Sequence, residues 1–154
     1  MRELTIYCAH PISGQTWDQV CEYYNKTKEI LLELGYNVLH PMTGKSDIRV
    51  EINQRFQPTD FKSPFASNHS IFERDKWMVS NADIVYLNLT GAKIVSIGSM
   101  MELAWASLLG KYTIVVMDEE NIHKHAFVLE AADIVLNNEK EVFNYLKKLI
   151  KSDI

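Results

Sequence analysis

Five short apolar runs, each followed by a longer stretch of helical periodicity, set the tightest limit on how this chain can fold. Leu4 to Ala9 (LTIYCA), Tyr36 to His40 (YNVLH), Ala82 to Leu89 (ADIVYLNL), Lys111 to Met117 (KYTIVVM) and Asp133 to Leu136 have strand character. The third run is apolar almost throughout, as expected of a strand covered on both faces. Between the first two, Val20, Tyr24, Ile30, Leu31 and Leu34 recur mostly at helical spacing over Trp17 to Leu34, and Gly35 is placed to end that helix. Ser70 with Glu73 reads as a capping box for a helix over Ile71 to Ser80. Further helices are predicted over Met100 to Leu109, stopped by Gly110, over His123 to Ala132, and over Glu139 to Ile150.

Strands alternating with helices imply a mainly parallel sheet with helices on both faces. Right-handed crossovers then favour a flavodoxin-like, doubly wound α/β order with five strands. The 154 residues suit one domain, and 47% hydrophobic residues can fill its core. In such sheets ligands bind beyond the carboxyl ends of the strands, so the loops after Ala9, His40 and Leu89 are expected to share one functional rim. The segment 42–69 is polar, broken by Gly44, Pro58 and Pro64, and dotted with Phe56, Phe61 and Phe65. A loop of that length in a compact domain is usually functional or disordered; its aromatics argue against disorder, and it is expected to form a lid over a ligand, the alternative being an ordinary surface excursion.

Charge and cysteine usage narrow the function classes. A net charge of −4, from 16 basic and 20 acidic residues without a basic run, argues against a nucleic-acid polymer as partner. Cys8 and Cys21 read as reduced, partly buried thiols of a cytoplasmic protein. Met1 to Glu3 lead into a strand and not into the apolar core of a signal peptide, and no apolar stretch reaches the ~20 residues that span a bilayer. His123 and His125 are too close to share a helix face as metal ligands, and convergence of His10 with His40 is a weak metal signal, so no metal or cofactor is expected.

Three side chains stand out for chemistry. Glu102 lies near a helix start, where the dipole alone favours an acid. Its neighbours Met101, Leu103, Ala104, Trp105 and Ala106 are apolar, however, and a carboxylate there is costly unless it is used or paired. Asp75 sits mid-helix, either as a solvated partner of Arg74 or Lys76 or as a general acid. Tyr7 is either a core tyrosine or a phenol that orients Glu102. The turn containing Ser96, Gly98 and Ser99 either caps a helix at Ser99 or offers N–H and hydroxyl groups to an anion.

Three segments in order, IYCAHPISG (6–14), FERDKWMVSNADIVYLNL (72–89) and SIGSMMELAWASLLGKYTIVVM (96–117), resemble the nucleoside 2-deoxyribosyltransferase superfamily, which includes nucleoside 5′-monophosphate N-glycosidases. The resemblance implies a flavodoxin-like fold and an oligomer, commonly built from dimers. It implies that Glu102 attacks the anomeric carbon, that Tyr7 holds it, and that Asp75 serves the nucleobase. It also implies that His125 reaches the sugar 5′ end of a neighbouring subunit. The transferases usually carry Asp six positions before the nucleophile, whereas this chain has Ser96, as the monophosphate glycosidases do. A hydroxyl can donate to a phosphate that a carboxylate would repel. The chain departs from those glycosidases at Ser13, where they carry Arg.

The expected reaction is therefore cleavage of the N-glycosidic bond of a (deoxy)nucleoside 5′-monophosphate, releasing base and sugar phosphate. Ser96, Gly98, Ser99 and the loop His10, Ile12, Ser13 and Gly14 are expected to bind the 5′ end. Trp17, Phe56 or Phe61 is expected to stack on the base. Two alternatives remain: base exchange on deoxynucleosides, and a non-catalytic nucleotide-binding module on the same fold.

Overall fold

The computed structural model describes residues 3–46 and 62–151. Its elements run β1 (Thr5–Ala9), α1 (Trp17–Glu33), β2 (Asn37–Leu39), α2 (Asn68–Asn81), β3 (Ile84–Asn88), α3 (Ile97–Leu108), β4 (Tyr112–Val116), α4 (Ala126–Ala131), β5 (Ile134–Leu136) and α5 (Glu139–Lys151). The five strands form one parallel sheet in the order β2-β1-β3-β4-β5. This is the doubly wound, flavodoxin-like arrangement expected from the alternation of elements. The order reverses between β1 and β3, so a crevice opens at their carboxyl ends.

The alternation of side chains along each strand divides the core into two layers. Ile6, Cys8, Ile84, Tyr86, Ile114 and Val116 pack with Val20, Tyr24 and Leu31 of α1 and Val142 and Leu146 of α5. Tyr7, Ala9, Val85, Leu87 and Val115 pack on the opposite face with Met78 and Val79 of α2 and Leu103 and Ala106 of α3. The same period of two puts Tyr7 under α3 and Cys8 on the other face. Both cysteines are free thiols, and burial pushes the Cys8 thiol up to about 12, which makes it inert.

Helix ends depart from expectation in three places. The first helix ends as read: Gly35, at φ +94°, donates to Leu32, and Tyr36 donates to Leu31, the paired bonds of a Schellman cap. The second helix begins earlier than expected, because Ser67, not Ser70, accepts the N–H of Ser70 as cap. Ala66 before that cap and Ile71 after it share one apolar cluster, a hydrophobic staple that fixes the entry. The Ser70 hydroxyl instead donates to Phe65, and Glu73 pairs with Lys76.

The third helix likewise starts at Ile97 with Ser96 as cap, so Ser99 is not the cap and Gly98 lies inside the first turn. Glycine there forgoes about 1 kcal/mol of helix propensity, a cost the Ser96 cap offsets. The fourth helix starts at Ala126, not His123, and His125 caps it through Nδ1. Most of the expected lid, including Phe56 and Phe61, lies outside the described residues.

Candidate active site

The chemistry-bearing residues gather at the predicted rim. Tyr7 is fully buried, and its hydroxyl donates to Glu102 Oε1 at 2.6 Å. Glu102 is the sixth residue of α3, only 6% exposed, on the helix face that also buries Ser99, Leu103 and Ala106. It stands one turn further from the helix start than a dipole-stabilised acid would. Burial pushes its carboxyl up to about 8; the Tyr7 hydrogen bond opposes this rise, nearby Asp75 adds to it, and Lys45 opposes it. Burial, then the charges of Glu102 and Asp75, hold the Tyr7 phenol well above its ordinary range, so it remains a donor.

Asp75 faces the same pair from α2. Burial raises its carboxyl to about 6, against the pull of Lys45 and Arg74. Its Oδ1 is buried without a hydrogen-bond partner among the described residues. So are Nδ1 of His40 and Nε and Nη2 of Arg74. Each such orphan costs on the order of 1–3 kcal/mol, and together they mark a polar wall that a ligand edge could satisfy. Burial, then Lys28 and Lys45, push the His40 imidazole down to about 4, so it is neutral at physiological pH.

Lys45, in the segment expected to be a lid, was not singled out by the sequence reading. It is 6% exposed, and Asp75 and Glu102 both feel its charge. Burial lowers its ammonium, and Asp75 works against that fall. The turn that delivers it uses Gly44 at φ +73°, where a Cβ would lie 3.1 Å from Arg74 Nη1. A glycine followed by lysine shortly after the second strand was the signal available in the sequence, because that strand end belongs to the rim and glycine favours a tight turn.

The remaining predicted residues divide. In the first loop, His10 is committed to bracing: its N–H donates to the Tyr24 hydroxyl at 2.8 Å, its Nδ1 meets the Asn88 carbonyl at 2.8 Å, and its ring stacks on Tyr23 at 4.2 Å. Ile12 accepts the Gln15 N–H in a turn, Ser13 is exposed, and Gly14 adopts φ +82°. At the start of α3, the Ser96 Oγ accepts the Ser99 N–H and donates to Ser99 Oγ at 2.9 Å. Open space lies in front of Gly98.

Trp17 and His125 are placed elsewhere. Trp17, first in α1, is half-buried against the α1–α5 layer, across the sheet from Tyr7. His125 is exposed at the α4 cap, edge-on to Phe127. Among the described residues no group of three His, Cys, Asp or Glu side chains could hold a metal ion. No helix among them is long and apolar enough to cross a membrane.

A second feature beyond the sequence reading braces the loop between β3 and α3. Asn121 donates to the Leu89 carbonyl at 2.7 Å and to Asp118 Oδ1, which also accepts the Gly91 N–H at 3.0 Å. His123, buried beside Asn121, meets the Ser96 N–H through Nε2 at 2.8 Å.

Known proteins place this geometry in context. The profile of the nucleoside 2-deoxyribosyltransferase family matches residues 6–146. No curated protein matches the sequence significantly. Among solved structures, the chain is similar to the 2-deoxyribosyltransferase of Leishmania mexicana, with TM-score 0.68 and 17% identity, covering 94% of this chain and 97% of that one. The 2-deoxyribosyltransferase of Bacillus psychrosaccharolyticus gives 0.65 and 19%, covering 92% and 91%. The CMP N-glycosidase of Clostridium botulinum gives 0.56 and 18%, covering 96% and 98%. At these identities the likeness establishes the shared fold.

Proposed function

Since the chain belongs to the nucleoside 2-deoxyribosyltransferase family, we propose that it cleaves the N-glycosidic bond of a (deoxy)nucleoside 5′-monophosphate with Glu102 as nucleophile. The observation that carries this reading is the buried Tyr7–Glu102 hydrogen bond at 2.6 Å beside a second buried carboxyl, Asp75. Tyr7 holds Oε1, which leaves Oε2 to attack C1′ of the sugar. The bond from C1′ to the base nitrogen breaks, its electron pair leaves with the base, and a glycosyl ester forms on Glu102. Glu102 and Asp75 feel each other's charge, and in the reactive form of the pair Glu102 is ionised while Asp75 holds the proton, which it gives to the departing base. Water then attacks C1′ and opens the ester, its proton passing to Asp75, which releases the sugar 5-phosphate and regenerates the Glu102 carboxylate.

The orphaned polar atoms of His40, Arg74 and Asp75 suit the edge of a base. Ser96 supports a 5′-phosphate over a 5′-hydroxyl because it presents a hydroxyl where a carboxylate would repel the anion. Base exchange is the second reading, differing only in the acceptor that opens the ester.

The outer faces of α2 and α3 expose Trp77 and Leu108, the latter 86% exposed, around a groove also lined by Trp105 and Leu109. A largely apolar groove of this kind, edged by Glu73, Lys76 and Ser80, suits association of copies of the chain. In such an assembly the exposed His125 would be free to serve a neighbour's site.

The test is chromatographic detection of free base from nucleosides and nucleoside 5′-monophosphates, with and without a second free base, beside Glu102→Ala. Release from monophosphates alone, without exchange and lost in the variant, is the expected result. Exchange on unphosphorylated deoxynucleosides would move the assignment to a transferase. Binding without turnover would leave a nucleotide-binding module.

A further inference from the structure

The loop that carries Ser96 is held by a chain of hydrogen bonds whose proton positions can be deduced. A backbone N–H can only donate, so His123 Nε2 must accept from Ser96. The imidazole is then neutral with its proton on Nδ1, which is donated to Asn121 Oδ1 at 2.9 Å. The same Oδ1 accepts the His123 N–H, and the Asn121 amide group donates onward to Leu89 and Asp118. Every donor in the relay has an acceptor. His123 is 2% exposed, and burial holds its imidazole below the ordinary range, consistent with the neutral form.

This relay decides what the helix cap can present. The Ser96 N–H precedes α3 and would otherwise lack an acceptor at a half-buried position. With that N–H anchored, the Ser96 hydroxyl is aimed at Ser99, which lies one turn before Glu102 on the same buried helix face. We propose that His123 is a positioning residue for the sugar 5′ end: as a neutral acceptor it fixes the Ser96–Ser99 hydroxyl pair and ties the 89–96 loop to the 118–123 turn. This inference rests on the assignment of Ser96 to the 5′ group. Among the described residues the relay's hydrogen bonds do not reach Tyr7, Asp75 or Glu102, so the effect falls on binding of the sugar donor and not on the bond-breaking step.

Steady-state kinetics of the full chain on the sugar donor it turns over, with His123→Leu, His123→Gln and Ser96→Ala in parallel, test the proposal. His123→Leu is expected to raise KM about tenfold with kcat within about threefold, the scale of one lost buried hydrogen bond. His123→Gln, whose amide oxygen can accept the Ser96 N–H, is expected to stay within about threefold of the native KM. An unchanged KM in His123→Leu, an equal fall in kcat, or a glutamine variant as impaired as the leucine variant would overturn it. An unchanged KM in Ser96→Ala would overturn the 5′ assignment and the proposal with it; a raised KM there beside a native KM in His123→Leu would overturn the proposal alone. Should His123→Leu not fold, imidazole nitrogen NMR of the native chain decides. A proton on Nδ1, with Nε2 and the Ser96 amide moving on titration with ribose 5-phosphate, supports the brace; a proton on Nε2, or no movement, refutes it.

Discussion

Replacing Tyr7 with phenylalanine removes one oxygen from the site and leaves the packed ring in place. The lost contact is a 2.6 Å hydrogen bond to a buried carboxylate. Bonds to charged groups contribute roughly 1.5–3 kcal/mol, and 1.36 kcal/mol corresponds to one pKa unit. The Glu102 carboxyl, already at about 8, should therefore rise by about 1–2 units in Tyr7→Phe. At pH 7 the ionised, nucleophilic fraction would fall about 10- to 100-fold, and kcat/KM with it. The assay is the pH profile of kcat/KM from pH 5 to 10 for both proteins, with Tm measured alongside. The acid limb should move to higher pH, activity should recover toward the alkaline end, and Tm should change by only a few degrees because the ring stays packed and a single buried hydrogen bond is lost. A uniform loss at every pH, or a limb that stays put, would refute the view that Tyr7 acts by stabilising ionised Glu102.

Other consequences follow from the same geometry. Glu102 is held at about 8 against an ordinary 4.5, so between those values the folded chain keeps a proton the unfolded chain has released, and stability falls as pH rises through that window. Glu102→Gln lacks this loss, so its Tm advantage over the native chain should grow from pH 5 to pH 8 by differential scanning calorimetry; a constant or shrinking advantage would count against a strained carboxylate. Leu108→Glu alters a side chain that is 86% exposed on the single chain, where it should do nothing to the fold. If the α2–α3 surface joins copies of the chain, light scattering should show a smaller particle for this variant, and an unchanged mass would remove that surface from the assembly.

Much of this architecture could be read from the chain because it depends on local periodicity. Apolar runs of strand length and helical spacing identified the five strands and five helices of the described residues, and right-handed crossovers then limited the strand order. Period-two alternation likewise explains why Tyr7 and Cys8, adjacent in sequence, face different layers. Helix starts were less legible. At Ser67/Ser70 and at Ser96/Ser99 two serines three residues apart compete for one cap, and the choice depends on where the preceding residues dock. Residues such as Glu102, Asp75 and Tyr7 drew attention through their settings and family resemblance, since a carboxylate in an apolar stretch is costly wherever the chain places it.

Tertiary structure alone decided which of those groups meet. Tyr7 and Glu102 are 95 residues apart, and only the pairing of β1 with β3 and the docking of α3 on that sheet bring them to 2.6 Å. Lys45 carried no helical or strand pattern to mark it, yet the turn at Gly44 buries its charge beside two carboxyls. His123 looked like one of two closely spaced histidines until the fold set it against the Ser96 amide. Electrostatics and hydrogen bonding between distant segments depend on distances of a few ångströms, which periodicity does not encode. The sequence determined the elements and the order in which they stack; the folded sheet determined which buried charges share a site and which polar groups are left for a ligand.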